Sequence, residues 1–244
     1  MSPSILEFLA VFFMAILPQI LTSFYPDGMR ELLNGLPGNW RFITALPSRI
    51  GVILLILYIA AGRQDAFHSI GLNLQKDASF VPLLAAAFLT FYLLLILALA
   101  NKRSAQRKQE TAAMQQRTLL GMRYLGPLSS SQRFFTFVDL WLGVIGEELV
   151  YRGYLILLLG AQTGSFAPWI IFSVALSVLV HLYQGRTWRI AVSHAILAGL
   201  FILVIMLTRS LFAAILPHLA YNTVWLARAL KANGGAHTTQ GGTD

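Results

Sequence analysis

Residues 134–160 read FFTFVDLWLGVIGEELVYRGYLILLLG, an apolar run of helical length with Glu147, Glu148 and Arg152 near its middle. A charge at the centre of a bilayer-spanning helix costs roughly 2.5–3.5 kcal/mol, so three would cost about 8–10 kcal/mol uncompensated. The spacing supplies part of the compensation. Glu148 and Arg152 stand four apart, share a face and can pair. Glu147 points about 100° away and shares its face with Tyr151. One carboxylate is thereby held, while the other stays available as a general base. A structural ion pair is the plainer alternative, but it gives no reason for Glu147. Asp139, nearer the start of the run, reads as interfacial. Gly143, Gly146 and Gly153 read as points of close helix approach.

Further apolar runs lie at 5–24 (ILEFLAVFFMAILPQILTSF), 42–61, 80–100, 166–184, 190–208 and 211–230. Across 244 residues, 57% are apolar and only 11% charged, against about 25% charged in ordinary soluble domains. Disorder, a coiled coil and a typical cytosolic domain are excluded. The expected fold is all-α: a polytopic membrane bundle of about seven transmembrane helices around a polar cavity. The chain has no cysteine, which removes disulfides, Cys-based zinc sites, iron–sulfur clusters and thiol catalysis. The run at 5–24 has no basic residue before it and no small-residue cleavage pattern after it, so it reads as a retained helix with a kink at Pro18. The expected organisation is N-terminal helices plus a basic loop over 1–133, a core over 134–232, and a polar, Gly-rich, disordered tail over 233–244.

The net charge of +8 lies between the apolar runs, so membrane topology explains it more simply than nucleic acid does. Lys102, Arg103, Arg107, Lys108, Arg117, Arg123 and Arg133 face a single acid, Glu110, in the stretch from Asn101 to Arg133. That loop is expected in the cytoplasm, with lipid or partner contact as a second reading. Part of it could form an interfacial helix. Arg186, Arg189, Arg228 and Lys231 then fall on the same side. The loop at 62–79 lies outside, with Arg63 and Lys76 balanced by Asp65 and Asp77. The N-terminus is outside and the C-terminus cytoplasmic; Arg209 alone sits against the bias.

Other polar residues interrupt later runs. His181 lies near the end of the fifth run, with Ser177 one turn earlier and able to bond the imidazole. His218 and Asn222 stack at i and i+4 in the seventh, beside Pro217. Such residues are costly unless they face a polar cavity or bond between helices. His194 reads as a packing residue; His68 and His237 have no companions.

Taken together, EELVYR at Glu147–Arg152, HLYQG from His181 and HLAYN at His218–Asn222 match EExxxR, a His motif and HxxxN. The chain thus resembles the type II CAAX prenyl endopeptidase and bacteriocin-processing family, also called CPBP or Abi, over about residues 134–230. A short IGLNL segment from Ile70 adds a little. One departure is Ser177, where the family usually has Phe; it concerns the wall of the pocket more than the catalytic atoms. The resemblance implies intramembrane proteolysis by a glutamate without a cofactor. Glu147, helped by His181, would activate water. Glu148 and Arg152 would orient them, and His218 and Asn222 would form the oxyanion hole. The substrate would be a membrane-associated peptide or protein. Compact size and short loops look bacterial, which places the chain in a cytoplasmic membrane.

Counted from the cytoplasmic helix ends, Glu147 comes out roughly 20 Å deep and His181 about 5 Å. The sequence alone does not bring them together. Three other readings stay open: a zinc protease using the Glu and His residues, a non-catalytic immunity or adaptor protein, and a proton-coupled transporter.

Overall fold

The computed structural model describes residues 5–24, 45–63, 66–72, 80–100, 129–181 and 188–236. Most of the basic stretch (101–128), Asp65, Lys76, Asp77, Leu182 to Gly185 of the second motif, Arg186 and the tail from His237 lie outside the described residues.

Within the described residues the fold is all-helical, with seven helices. α1 runs Ile5–Val11, continues through a π-helical stretch Phe12–Ile16, and resumes as Leu17–Phe24. α2 is Leu46–Ala61, followed by a 3-10 turn Ala66–Ile70. α3 is Phe80–Ala100. α4 is the axis of the molecule: Ser130–Glu148, a π-helical stretch Leu149–Leu159, then Gly160–Thr163. α5 is Ala167–His181, α6 Trp188–Thr208 and α7 Phe212–Ala236. The helix of α7 thus continues past Asn233 into the polar tail.

α4 begins before its apolar run because the sequence caps it there. The Ser129 hydroxyl accepts from the Gln132 amide at 3.3 Å, and the Gln132 side chain accepts from the Ser129 amide at 3.0 Å. This capping box satisfies two amides that a helix start leaves open. At the other end Gly164 adopts φ 70°, the left-handed conformation that stops a helix and favours glycine. The Phe166 ring then folds onto Gly160, where a side chain would collide with it. α4 and α5 thereby close into a tight hairpin. Every residue of Leu149–Leu159 is buried, as suits a helix that is apolar all round.

The neighbours of α4 run in alternating directions. α2 lies parallel to it: Arg49 meets Asp139, and Val52 and Ile53 pack on Gly146. α1 runs opposite to α2, with Glu7 paired to Arg63. Arg63 therefore finds an acid in α1, while Asp65 and Asp77 lie outside the described residues. The α6–α7 turn is set deep. Leu211 is fully buried, and its amide donates to the Gly71 carbonyl at 2.7 Å. Gly153 permits this: a Cβ there would stand 3.3 Å from the Ile70 carbonyl and 3.5 Å from Leu211. α7 passes through Pro217 without a break.

The core is largely apolar but encloses charged side chains, and the surface is rich in large apolar residues. Glu148 and Arg152 are 0% and 2% exposed, while Phe88 and Leu207 are 74% and 75% exposed. Among the described residues, Ala191–Thr208 is the one span long and apolar enough to cross a bilayer by length and composition. Ile5–Leu21, Leu46–Ala61, Val81–Ile96 and Ala167–His181 are shorter apolar helices.

Candidate functional site

The site is built where α4 turns from α- to π-helix, immediately after Glu148. Such widenings of a helix frequently accompany functional sites. Glu148 is sealed from water. Its Oε1 receives Arg152 Nη1 at 3.2 Å from the next turn and the His218 Nδ1–H at 2.7 Å from α7. The expected pair of Glu148 with Arg152 is thus present, and His218 joins it. Glu148 Oε2 and Arg152 Nε are buried with no hydrogen-bond partner among the described residues. Buried polar atoms are normally paired, so these two are available to a water or a substrate group.

Aromatic rings hold the cationic side of this network. The Arg152 guanidinium lies 5.7 Å from the Phe201 ring centre and 5.8 Å from that of Tyr151. Both distances are within cation–π range. Phe201 also stacks on His218 at 5.0 Å, so one α6 ring backs both partners of Glu148. The Tyr151 hydroxyl donates to Gln19 of α1.

Glu147 is differently placed. It is partly buried where Glu148 is fully buried, which makes it the less enclosed of the two carboxylates. The charges that act on it are His218, Arg49, Glu148 and Arg152. His181 shares two of these neighbours, His218 and Arg152. The His181 Nδ1–H donates to the Ser177 backbone carbonyl at 2.7 Å, which leaves Nε2 as the basic nitrogen. Ser177 thus bonds the imidazole as expected, through its backbone carbonyl. His181 also stacks on His194 of α6 at 4.3 Å. Asn222 follows His218 by one turn and is half-buried.

The depth conflict disappears once distance is counted from the α4–α5 hairpin. Glu148 lies fifteen residues from Thr163, and His181 lies fourteen from Ala167. Equal arms bring the two to one level, about 20 Å from the turn. The same counting places His218. Leu211 packs on Gly153; His218 is seven residues from the first, Glu148 five from the second.

Two residues carry charge or polarity into the site's surroundings and escape a motif-based reading. Arg49 Nε donates to Asp139 Oδ1 at 2.6 Å and Nη2 to Oδ2 at 3.4 Å. Asp139 is therefore half of an interhelical ion pair and not simply interfacial. Gln19 meets Tyr151. Each is a polar residue inside an apolar run, the same signal that marks Glu147. Among the described residues, no three of His, Cys, Asp and Glu gather as a metal-ion ligand set.

Residues 129–224, the span from the α4 cap into α7, match a family model described as Rce1-like, type II CAAX prenyl endopeptidase. That part of the chain is similar to the Rce1-like family, in agreement with the CPBP/Abi resemblance. No curated protein and no solved structure matches the chain.

Proposed function

We propose that this chain is an integral membrane endopeptidase in which Glu147 is the general base. The similarity to the Rce1-like family supports a protease of the CAAX kind, acting on a peptide or protein. The apolar surface supports the membrane: large apolar residues exposed to this extent on a soluble monomer would be an association hazard. In the orientation given by the charge bias, the C-terminus is cytoplasmic and the membrane is a bacterial cytoplasmic membrane.

The observation that carries the mechanism is the unequal state of two adjacent carboxylates. Glu148 is locked by Arg152 and His218, while Glu147 beside them is less enclosed and takes no part in that lock. Glu147 takes a proton from water, aided by the lone pair on His181 Nε2. The hydroxide attacks the carbonyl carbon, and the tetrahedral oxyanion forms. With Nδ1–H committed to Glu148, His218 has Nε2 left for the substrate. A proton there, its charge balanced by Glu148, donates to the oxyanion together with the Asn222 amide. Glu147 then returns its proton to the leaving amine, and the C–N bond breaks. A membrane-associated peptide reaches these groups from the cytoplasmic side. Prenylation of the substrate is not required by any of these contacts.

Comparison of peptide termini by mass spectrometry, in membranes carrying wild type or Glu147→Gln at matched abundance, tests the proposal. New termini that need Glu147 are expected. Identical termini, where the wild type has a phenotype, would favour an adaptor or transporter.

A further inference from the structure

Asp139, Gly143 and Glu147 stand at intervals of four along α4 and form one stripe on its surface. Arg49 of α2 lies along the lower part of that stripe. Two of its nitrogens grip Asp139, at 2.6 and 3.4 Å. The third, Nη1, lies over Gly143, 2.5 Å from where a Cβ would stand, with the guanidinium carbon at 2.9 Å. Any side chain at 143 would push the guanidinium away. One turn further, Val52 and Ile53 lie at ordinary contact from Gly146. At Gly143 the three atoms nearest to a Cβ all belong to the arginine head.

The direction of this device is toward Glu147. Asp139 anchors the fork at one end, Gly143 lets it lie flat, and Glu147 is the next residue of the stripe. Arg49 is among the charges that act on Glu147, with His218, Glu148 and Arg152. Arg152 and His218 both bond Glu148 directly, so their charge is already engaged there. Arg49 is a further cation, brought in from α2, and it approaches from the Asp139 side.

We propose that Arg49 is a positioning residue for Glu147: held by Asp139 and seated on Gly143, it presents its positive charge to the Glu147 carboxylate and keeps that carboxylate aimed at water. The assignment of Glu147 as the reacting base is the reading given above; the placement of Arg49 stands apart from it.

The test separates the two. Dicyclohexylcarbodiimide adds the protonated form of a membrane carboxyl across its C=N bond, and the adduct rearranges to a stable N-acylurea. Its rate of formation at Glu147, read by peptide mass spectrometry near pH 7, reports the uncharged fraction without any substrate. Arg49→Gln should raise this rate about tenfold or more, the size of the effect of an adjacent guanidinium on a carboxyl. Arg49→Lys should restore most of the protection. Gly143→Ala should resemble Arg49→Gln, because the arginine is present but displaced. The double variant should add little, since both changes remove one contact. On a peptide whose cleavage needs Glu147, Arg49→Gln should lower kcat and leave KM within twofold. Unchanged labelling in folded Arg49→Gln overturns the inference even where cleavage needs Glu147. Raised labelling without any Glu147-dependent cleavage upholds the placement of Arg49 and overturns the protease reading.

Discussion

The Glu148–Arg152 pair lies within one helix and is sealed from water, whereas the Arg49–Asp139 pair joins two helices and stays half-exposed. The side chains of the first are 0% and 3% exposed, those of the second 32% and 18%. Both are built on α4, two turns apart, on either side of Glu147. In the sealed pair the alternative to pairing is an unsolvated charge, so it is held rigidly. In the open pair water competes for both groups, and the pair stabilises little. The rigid pair fixes a framework for catalysis, and the open pair can act on Glu147 without much effect on folding.

The sharpest way to break this contrast is Arg152→Ala. It leaves Glu148 buried with His218 as its remaining partner, and removal of one member of a buried ion pair costs about 3–5 kcal/mol. A large fall in thermal stability of the detergent-solubilised protein is expected, with loss of activity. A stability equal to wild type would mean that water already reaches Glu148, and the two pairs would then be of one kind.

Gly153→Ala probes the sealed half without touching a charge. The added methyl meets the Ile70 carbonyl at 3.3 Å, a backbone atom fixed by the seated Leu211 turn. Overpacking of this type costs about 1–3 kcal/mol. The loss should appear as a lower unfolding temperature. If Gly153→Ala is neutral, the segment 66–72 yields easily and the sealed half is softer than its burial implies.

Ser129→Ala acts at the far, open end of α4. It removes the hydroxyl of the capping box, a change worth about 1 kcal/mol. The site lies some eighteen residues along the helix, so cleavage rate per folded molecule should hold. A fall in that rate would show that the start of α4 helps to place Glu147.

The helices were legible because an apolar run of membrane length admits few other forms, and the Glu148–Arg152 pair because i,i+4 spacing forces the meeting. His218 and Asn222 were legible as a polar patch on one face. The partner of His218 was not, because nothing in the chain states how deep each turn sits. That depth is set by Gly164, which fixes the hairpin, and by Gly153, which lets Leu211 sink beside it. Both are visible as glycines, but their neighbours are distant in sequence. Arg49 was passed over for a different reason. Its partner is ninety residues away, and a lone basic residue near a helix start reads as topology.

The smallest effect on stability is expected from Asp139→Asn, and it bears most directly on the comparison. The substitution keeps the shape and an acceptor oxygen, and removes the charge that holds Arg49. Partly exposed pairs contribute about 0.2–1 kcal/mol, so the unfolding temperature should move little, and less still at high salt. Activity should move more than stability does. Arg49, released from Asp139, no longer has its fork fixed over Gly143, and Glu147 loses a defined neighbour. A rate loss of several-fold with unchanged folding therefore marks the open pair as part of the catalytic surroundings. A stability loss comparable to that of Arg152→Ala would instead place Asp139 in the framework, and the division of α4 into a rigid half and an adjustable half would fail at that residue.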